Sequence, residues 1–279
     1  MLDPDIAYAA SEDTVFRSVD GGATWGKMTP KEYGWGPPGE LAGIPIDLQA
    51  DDRDVDRVFA NNYAGGNYVS EDGGTTWASA STGYTGATLH SVAVDPANSL
   101  RVYAGGRLAP FCSVDGGANW QGLNWRELSG VALTEIAAIA INPQHPDTIL
   151  ISNNFKGVII RTTDAGRRWD KVYKHPGIPK TEQWIDFGFS SIAFAPSDTN
   201  VVYAGLKFTD ADIELAPPVS DFGVYKSTDG GRTWGPSQDD LLSTLNVNVV
   251  AVHPVDAAIV YAGTVEQGVF WSTDGGQTW

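Results

Sequence analysis

The chain is expected to be an all-β propeller of four-stranded antiparallel blades, and three observations predict it. An eight-residue phrase, [ST]-x-D-x-G-x-x-W, occurs six times in 279 residues: Ser18 to Trp25, Ser70 to Trp77, Ser113 to Trp120, Thr162 to Trp169, Ser227 to Trp234 and Ser272 to Trp279. From Trp to Trp the copies are 52, 43, 49, 65 and 45 residues apart, close to the length of a propeller blade. Short apolar runs of strand length precede each copy, punctuated by the 32 Gly and 16 Pro of the chain.

The box itself reads as a tight hairpin. A short acid followed by glycine suits one, because Asp bonds the amides just after it and Gly reaches positive φ. The Ser or Thr hydroxyl adds a second local bond, and the Trp folds back to bury a large apolar ring. Asp20, Asp72, Asp115, Asp164, Asp229 and Asp274, with Trp25, Trp77, Trp120, Trp169, Trp234 and Trp279, are therefore expected to hold the fold and not to react.

The strands follow from the boxes. Immediately before each lies a half-buried strand, such as Val224-Tyr225-Lys226, with a large apolar residue two before the Ser or Thr. Upstream is a second strand, such as Val102-Tyr103-Ala104 or Val202-Tyr203-Ala204. Further upstream is a small, aliphatic one, such as Ser91 to Val94 or Val249 to Val252, ending in Pro turns at Pro96, Pro143, Pro196 and Pro254. The last strand starts at the box Trp. One propeller over 1–279 results, with repeats of about 1–42, 43–88, 89–134, 135–189, 190–246 and 247–279. The first and last repeats are expected to be incomplete, as in a piece truncated at both ends.

Composition limits the function. Thirty-four acidic residues against 18 Lys and Arg give a net charge of −16, which argues against nucleic acid and anionic membranes. Cys112 stands alone, so no internal disulfide or thiolate metal set exists, and a packed thiol is expected. His90, His145, His175 and His253 have no metal-ligand spacing, and no cofactor motif is present. No apolar run approaches the roughly 20 residues of a membrane span, so none of this segment inserts. The acidic run Asp51 to Asp56 lacks the Gly and distal Glu of a calcium loop and reads as a solvated turn.

The six boxes resemble those of the Asp-box (bacterial neuraminidase repeat) β-propellers over essentially the whole chain. The run Val201 to Gly205 followed by Gly223 to Trp234 is most similar to sortilin-type and xyloglucanase-type blades. The resemblance implies a secreted or periplasmic protein. It also implies either a non-catalytic interaction propeller for a protein, peptide or carbohydrate, or a glycoside hydrolase. The sialidase branch fits poorly, since Gly43-Ile-Pro45 and Gly177-Ile-Pro179 lack the family's Arg. Xyloglucanase-like enzymes place two Asp residues on two propellers, so this chain would carry at most half of such a site. With no recognisable catalytic phrase, the expectation is a binding module, with a xyloglucanase-like hydrolase as the alternative.

Antiparallel order puts every box at one end of its blade and the long connections 26–43, 121–134, 170–189 and 207–222 at the other. Those connections carry aromatics (Tyr33, Trp35, Trp125, Tyr173, Trp184, Phe187, Phe208 and Phe222) and many acids, including Asp210-Ala-Asp212-Ile-Glu214. Rings stack on sugar faces, and acids bond hydroxyls. Trp35, Trp125, Trp184 and Phe208 are the candidate ligand contacts, and Glu127 and Asp186, beside two of them, are the weak candidates for acid and base.

Overall fold

The computed structural model describes residues 5–11, 14–28, 44–63, 66–80, 89–106, 110–123, 135–153, 157–176, 187–208, 222–237 and 245–279. They form an all-β fold of propeller blades, and no helix occurs among them, hence none long and apolar enough to cross a membrane. The chain divides into two compact units, Met1–Leu123 and Asn124–Trp279.

Unit 1 holds three blades. Blade 1 is β1 (Ala7–Ser11), β2 (Thr14–Ser18) and β3 (Gly26–Lys27). Blade 2 is β4 (Ile44–Asp51), β5 (Asp54–Tyr63), β6 (Gly66–Ser70) and β7 (Ala78–Ser79). Blade 3 is β8 (Leu89–Val94), β9 (Val102–Gly106), β10 (Pro110–Ser113) and β11 (Gln121–Gly122). Each is an antiparallel meander, its strands paired in chain order. Val58, Ala60, Tyr68 and Trp77 pack with Val15 in one core, and Phe59 packs with Leu89, Val92, Ala104 and Trp120 in the next. Alternate residues of β5 thus serve opposite sides of blade 2, as the two-residue period requires.

Unit 2 repeats the plan. Blade 4 is β12 (Ile136–Ile141), β13 (Ile149–Asn153), β14 (Val158–Thr162) and β15 (Asp170–Lys174). Blade 5 is β16 (Phe187–Ala195), β17 (Asp198–Phe208), β18 (Gly223–Ser227) and β19 (Gly235–Pro236). Blade 6 is β20 (Val247–Val252), β21 (Val260–Thr264) and β22 (Val269–Ser272). Its larger core joins Leu150 and Ile159 to Phe189, Phe194, Val202 and Tyr225. On blade 6 one face stays open to solvent: Val249, Tyr261 and Trp271 share it and are all exposed.

The first strand of blades 2 to 6 carries a β-bulge at a common place, after Pro45, Leu89, Ile136, Phe189 and Val247. The extra residue is Ile46, His90, Ala137, Ser190 or Asn248. Simple alternation does not reveal it, because a bulge changes register without changing composition. The turn after β4 is solvated at Asp52, Arg53 and Asp54, as expected, and departs from that reading only at Asp51. Asp51 is buried, and its Oδ1 accepts the Arg53 amide at 2.9 Å. Asp95 does the same for Ala97 in blade 3, at 2.7 Å, so the acid is the internal acceptor of a tight turn.

Candidate functional site

The boxes close upon themselves. In blade 5 the Ser227 hydroxyl donates to Asp229 Oδ1 at 2.8 Å and accepts the Gly231 amide at 2.9 Å. Asp229 further accepts the Arg232 and Thr233 amides at 2.9 Å and the Thr233 hydroxyl at 2.6 Å. Asp20, Asp72, Asp115, Asp164 and Asp274 make the corresponding bonds, Asp115 using Asn119 in place of Thr and Asp164 taking only the Arg168 amide at that position. The Thr24 hydroxyl and amide hold Asp20 down to about 2. Partial burial pushes Asp229 up, but its bonds from Thr233, Ser227 and Arg232 outweigh it and hold it to about 2. Such a carboxylate is committed to its turn and is a poor proton donor at neutral pH.

The residue after each Asp ties the box to the start of the strand that precedes and pairs with the box's own, as when the Gly73 amide donates to the Asp56 carbonyl at 2.7 Å and Gly230 to Asn200 at 2.9 Å. The box rings differ more. Trp77, Trp120 and Trp169 are buried and Trp234 half-buried, whereas Trp25 is 44% exposed. Trp120 donates to the Ala80 carbonyl of the preceding blade at 2.6 Å, and Trp279 to that of Ser237 at 3.2 Å. No preceding blade covers Trp25 among the described residues.

Of the residues singled out for ligand contact, Trp35, Trp125 and Trp184, with Glu127 and Asp186, lie outside the described residues. So do Asp210, Asp212 and Glu214. Phe208 is described. It stacks on Phe222 with ring centroids 6.0 Å apart and 16° between planes, and both touch Phe187. Tyr173 packs against Phe189 and Tyr225, and buried His175 shares a 2.8 Å hydrogen bond with the Tyr225 hydroxyl. These rings extend the core of blades 4 and 5 outward. Cys112 is half-buried, and burial pushes its thiol up, away from nucleophilic character. No group of three or more His, Cys, Asp or Glu among the described residues is placed to hold a metal ion.

What the sequence reading missed lies in blade 2. Asp47 follows the bulge of β4 and pairs in register with Asn61 of β5, which pairs with Asn67 of β6. The three therefore share one face of the sheet, in its half away from the box. Asp47 Oδ2 accepts the Val92 amide of β8 at 2.7 Å. Part of the residue meets solvent, but its carboxyl group is enclosed by protein. Burial pushes its pKa up to about 6, against the Val92 and Leu48 amides that pull it down. Beside it, Asn61 and Asn62 are buried, and the side-chain oxygen and nitrogen of both have no hydrogen-bond partner among the described residues. Buried amides are nearly always satisfied, so these two adjacent exceptions mark a polar spot inside the blade. The arrangement offers a carboxyl able to give or take a proton near neutrality, beside uncommitted amides. Comparing the first strands would have flagged it, since Ser91, Ala138, Ser191 and Val249 occupy the position elsewhere.

No protein-family model matches the chain. Among curated proteins it is similar to a xyloglucanase from Paenibacillus sp, 26% identical over 81% of this chain and 26% of that protein. It is also similar to a probable oligoxyloglucan-reducing end-specific xyloglucanase from Neosartorya fischeri, 29% identical over 73% of this chain and 23% of that protein. The chain thus spans about a quarter of the length of these relatives. Among solved structures it superposes on the GH74 xyloglucanase from Xanthomonas campestris with a TM-score of 0.72 and 19% identity, over 99% of this chain and 44% of that one. The six antiparallel sheets and these likenesses together make this an all-β propeller with GH74 xyloglucanase-like structural neighbours.

Proposed function

We propose that the chain is a glycan-contacting propeller of a xyloglucan-acting glycoside hydrolase, supplying part of the cleft and one of its carboxyl groups. The observation that carries this is the similarity to two xyloglucanases along most of the chain. It supports the hydrolase alternative over the non-catalytic interaction module that the want of a recognisable catalytic phrase favoured. In this reading Trp35, Trp125, Trp184 and Phe208 contact sugar rings, Phe208 by the part of its ring that Phe222 leaves uncovered.

Asp47 fits the acid of such a site. A glycosidase needs one carboxyl group that is protonated at working pH and a second that is ionised. Enclosure supplies the first condition at Asp47, as it does wherever a carboxyl is raised toward neutrality by its surroundings. Glu127 and Asp186 are the proposed sources of a second carboxylate on this chain.

The test is to titrate xyloglucan oligosaccharides and peptide libraries against the chain and its Trp184→Ala and Asp47→Asn variants, following intrinsic fluorescence and released reducing ends. Oligosaccharide binding that weakens about tenfold or more in Trp184→Ala is the expected result. Asp47→Asn should leave that binding within about threefold and abolish any turnover. Peptide binding with no response to oligosaccharides would instead establish the interaction module.

A further inference from the structure

Arg161 lies near the box end of β14 in blade 4, and its place recurs in other blades. Arg17 in β2 and Lys226 in β18 stand one residue before their boxes, as Arg161 does. Each reaches toward the box of the following blade: Lys226 Nζ donates to the Gly275 carbonyl at 2.8 Å and Arg161 Nε to that of Gly230 at 2.9 Å. Arg17 meets Asp56, the residue whose own carbonyl holds Gly73, at 2.5 Å.

The surroundings of these cations differ. Arg17 sits over the Tyr8 ring at 5.8 Å and is neutralised by Asp56. Lys226 sits over Tyr203 at 5.3 Å. At Arg161 the ring is replaced by Leu150, its partner across β13, and the acid by Asn200, whose carbonyl holds Gly230 as that of Asp56 holds Gly73. Arg161 therefore lacks both the ring and the paired carboxylate. A second guanidinium, Arg232, is close by, and it donates to the Asp229 carbonyl at 2.6 Å. Neither arginine has an ion pair among the described residues. Burial lowers the Arg161 pKa and repulsion from Arg232 lowers it further, with Asp229 and Asp170 only partly offsetting this.

Both guanidiniums line a cavity of about 340 Å³ at the box ends of blades 4 and 5. Thr163, Ser197 and Thr199 line it too, so hydroxyl donors accompany the two cations. The one acid in the lining, Asp198, already accepts the backbone and side-chain nitrogens of Asn200 at 3.1 Å. The remaining guanidinium N–H groups suit an oxygen-rich anion, which a planar fork can grip with two bonds.

We infer that this cavity is an anion site for a tetrahedral oxyanion, phosphate or sulfate, free or carried as an ester, held between Arg161 and Arg232 where blade 2 has its own Asp56. It does not depend on the glycan reading.

The test measures inorganic phosphate and sulfate binding to the full chain by calorimetry at constant ionic strength, with phosphoserine as the ester arm. The variants are Arg161→Gln, Arg232→Gln and Asn200→Asp, the last restoring the carboxylate that blade 2 supplies. Wild type should bind in the millimolar range or tighter, and each Arg→Gln variant should bind at least about tenfold more weakly. Asn200→Asp should abolish binding, its one structural loss being the Asn200 Nδ2 bond to Asp198. Should Arg161→Gln fail to fold, Asn200→Asp decides alone, since it adds a partner and removes none of the Arg161 contacts. No heat from wild type, or equal binding by wild type and Asn200→Asp, would overturn the inference. General salting stabilisation raises all variants alike and is removed by the comparison. Phosphoserine binding tighter than inorganic phosphate identifies an ester as the ligand, and the reverse identifies the free ion.

Discussion

Replacing Asp47 by Asn tests the enclosed carboxyl directly. A rise from the ordinary 3.8 to about 6, at about 1.4 kcal/mol per pH unit, puts the cost of keeping Asp47 ionised near 3 kcal/mol as an upper bound. The sign follows from which state holds the proton. Between about pH 4 and pH 6 the folded chain keeps a proton that the unfolded chain has lost, so stability falls as pH rises through that window. Below it the cost is absent, and above it the cost is complete. Asn carries no charge, and its side-chain oxygen can still accept the Val92 amide that Asp47 accepts at 2.7 Å. Asp47→Asn should therefore match wild type at pH 4 and exceed it at pH 8, at roughly 2–4 °C of melting temperature per kcal/mol for a chain of this size. The assay is a pair of melting curves at each pH from 4 to 8, read as the difference between variant and wild type. That subtraction cancels every other titrating group. A difference that is flat with pH, or a variant less stable at pH 8, refutes an enclosed, proton-holding Asp47.

Other outcomes follow from the boxes. Asp229→Ala removes four bonds to its own hairpin and should cost about 1–2 kcal/mol by chemical denaturation, with oligosaccharide affinity unchanged well below the melting point. Gly231→Ala forces a side chain onto a residue at φ +83° and brings its Cβ within 2.7 Å of Leu150. It should cost about 1–3 kcal/mol, and Leu150→Ala in the same chain should not recover the φ part of that cost. Trp120→Phe keeps the ring burial but loses the bond to Ala80, and a loss of about 1 kcal/mol is expected. Because the box acids are held below their ordinary range, the stability they confer is complete above about pH 4 and lost as pH falls toward about 2, which acid titration of the circular dichroism signal will show.

The boxes were legible because their interactions are local: Ser18, Asp20, Gly22 and Thr24 bond one another within seven residues, so the pattern is its own evidence. The strand order followed from repetition. Asp47 was not legible, since its character comes from the Val92 amide 45 residues away and from a bulge that leaves no trace in composition. Arg161 looked like an ordinary strand residue until blade 2 was laid beside blade 5 and Asn200 was seen where Asp56 stands. Loop aromatics are ambiguous in a different way. Phe187 and Tyr173 carry the same letters as ligand-stacking rings, but local sequence does not distinguish a ring that faces solvent from one that extends a core.

The bulge shared by five first strands has an evolutionary consequence. It holds the residue that follows it in the same backbone setting, yet that residue is an acid at Asp47, a hydroxyl at Ser91 and Ser191, a methyl group at Ala138 and a branched hydrocarbon at Val249. Asp47 and Ser191 both use the position to accept an amide from the next blade's first strand. The position stays in the ladder, as Asp47 does opposite Asn61, and the ladder is held by backbone groups, so exchanging the side chain there leaves the strand pairing in place. Copies of a duplicated repeat can thus diverge in chemistry at this address while staying identical in shape, and a reactive group can arise in one copy by a single codon change.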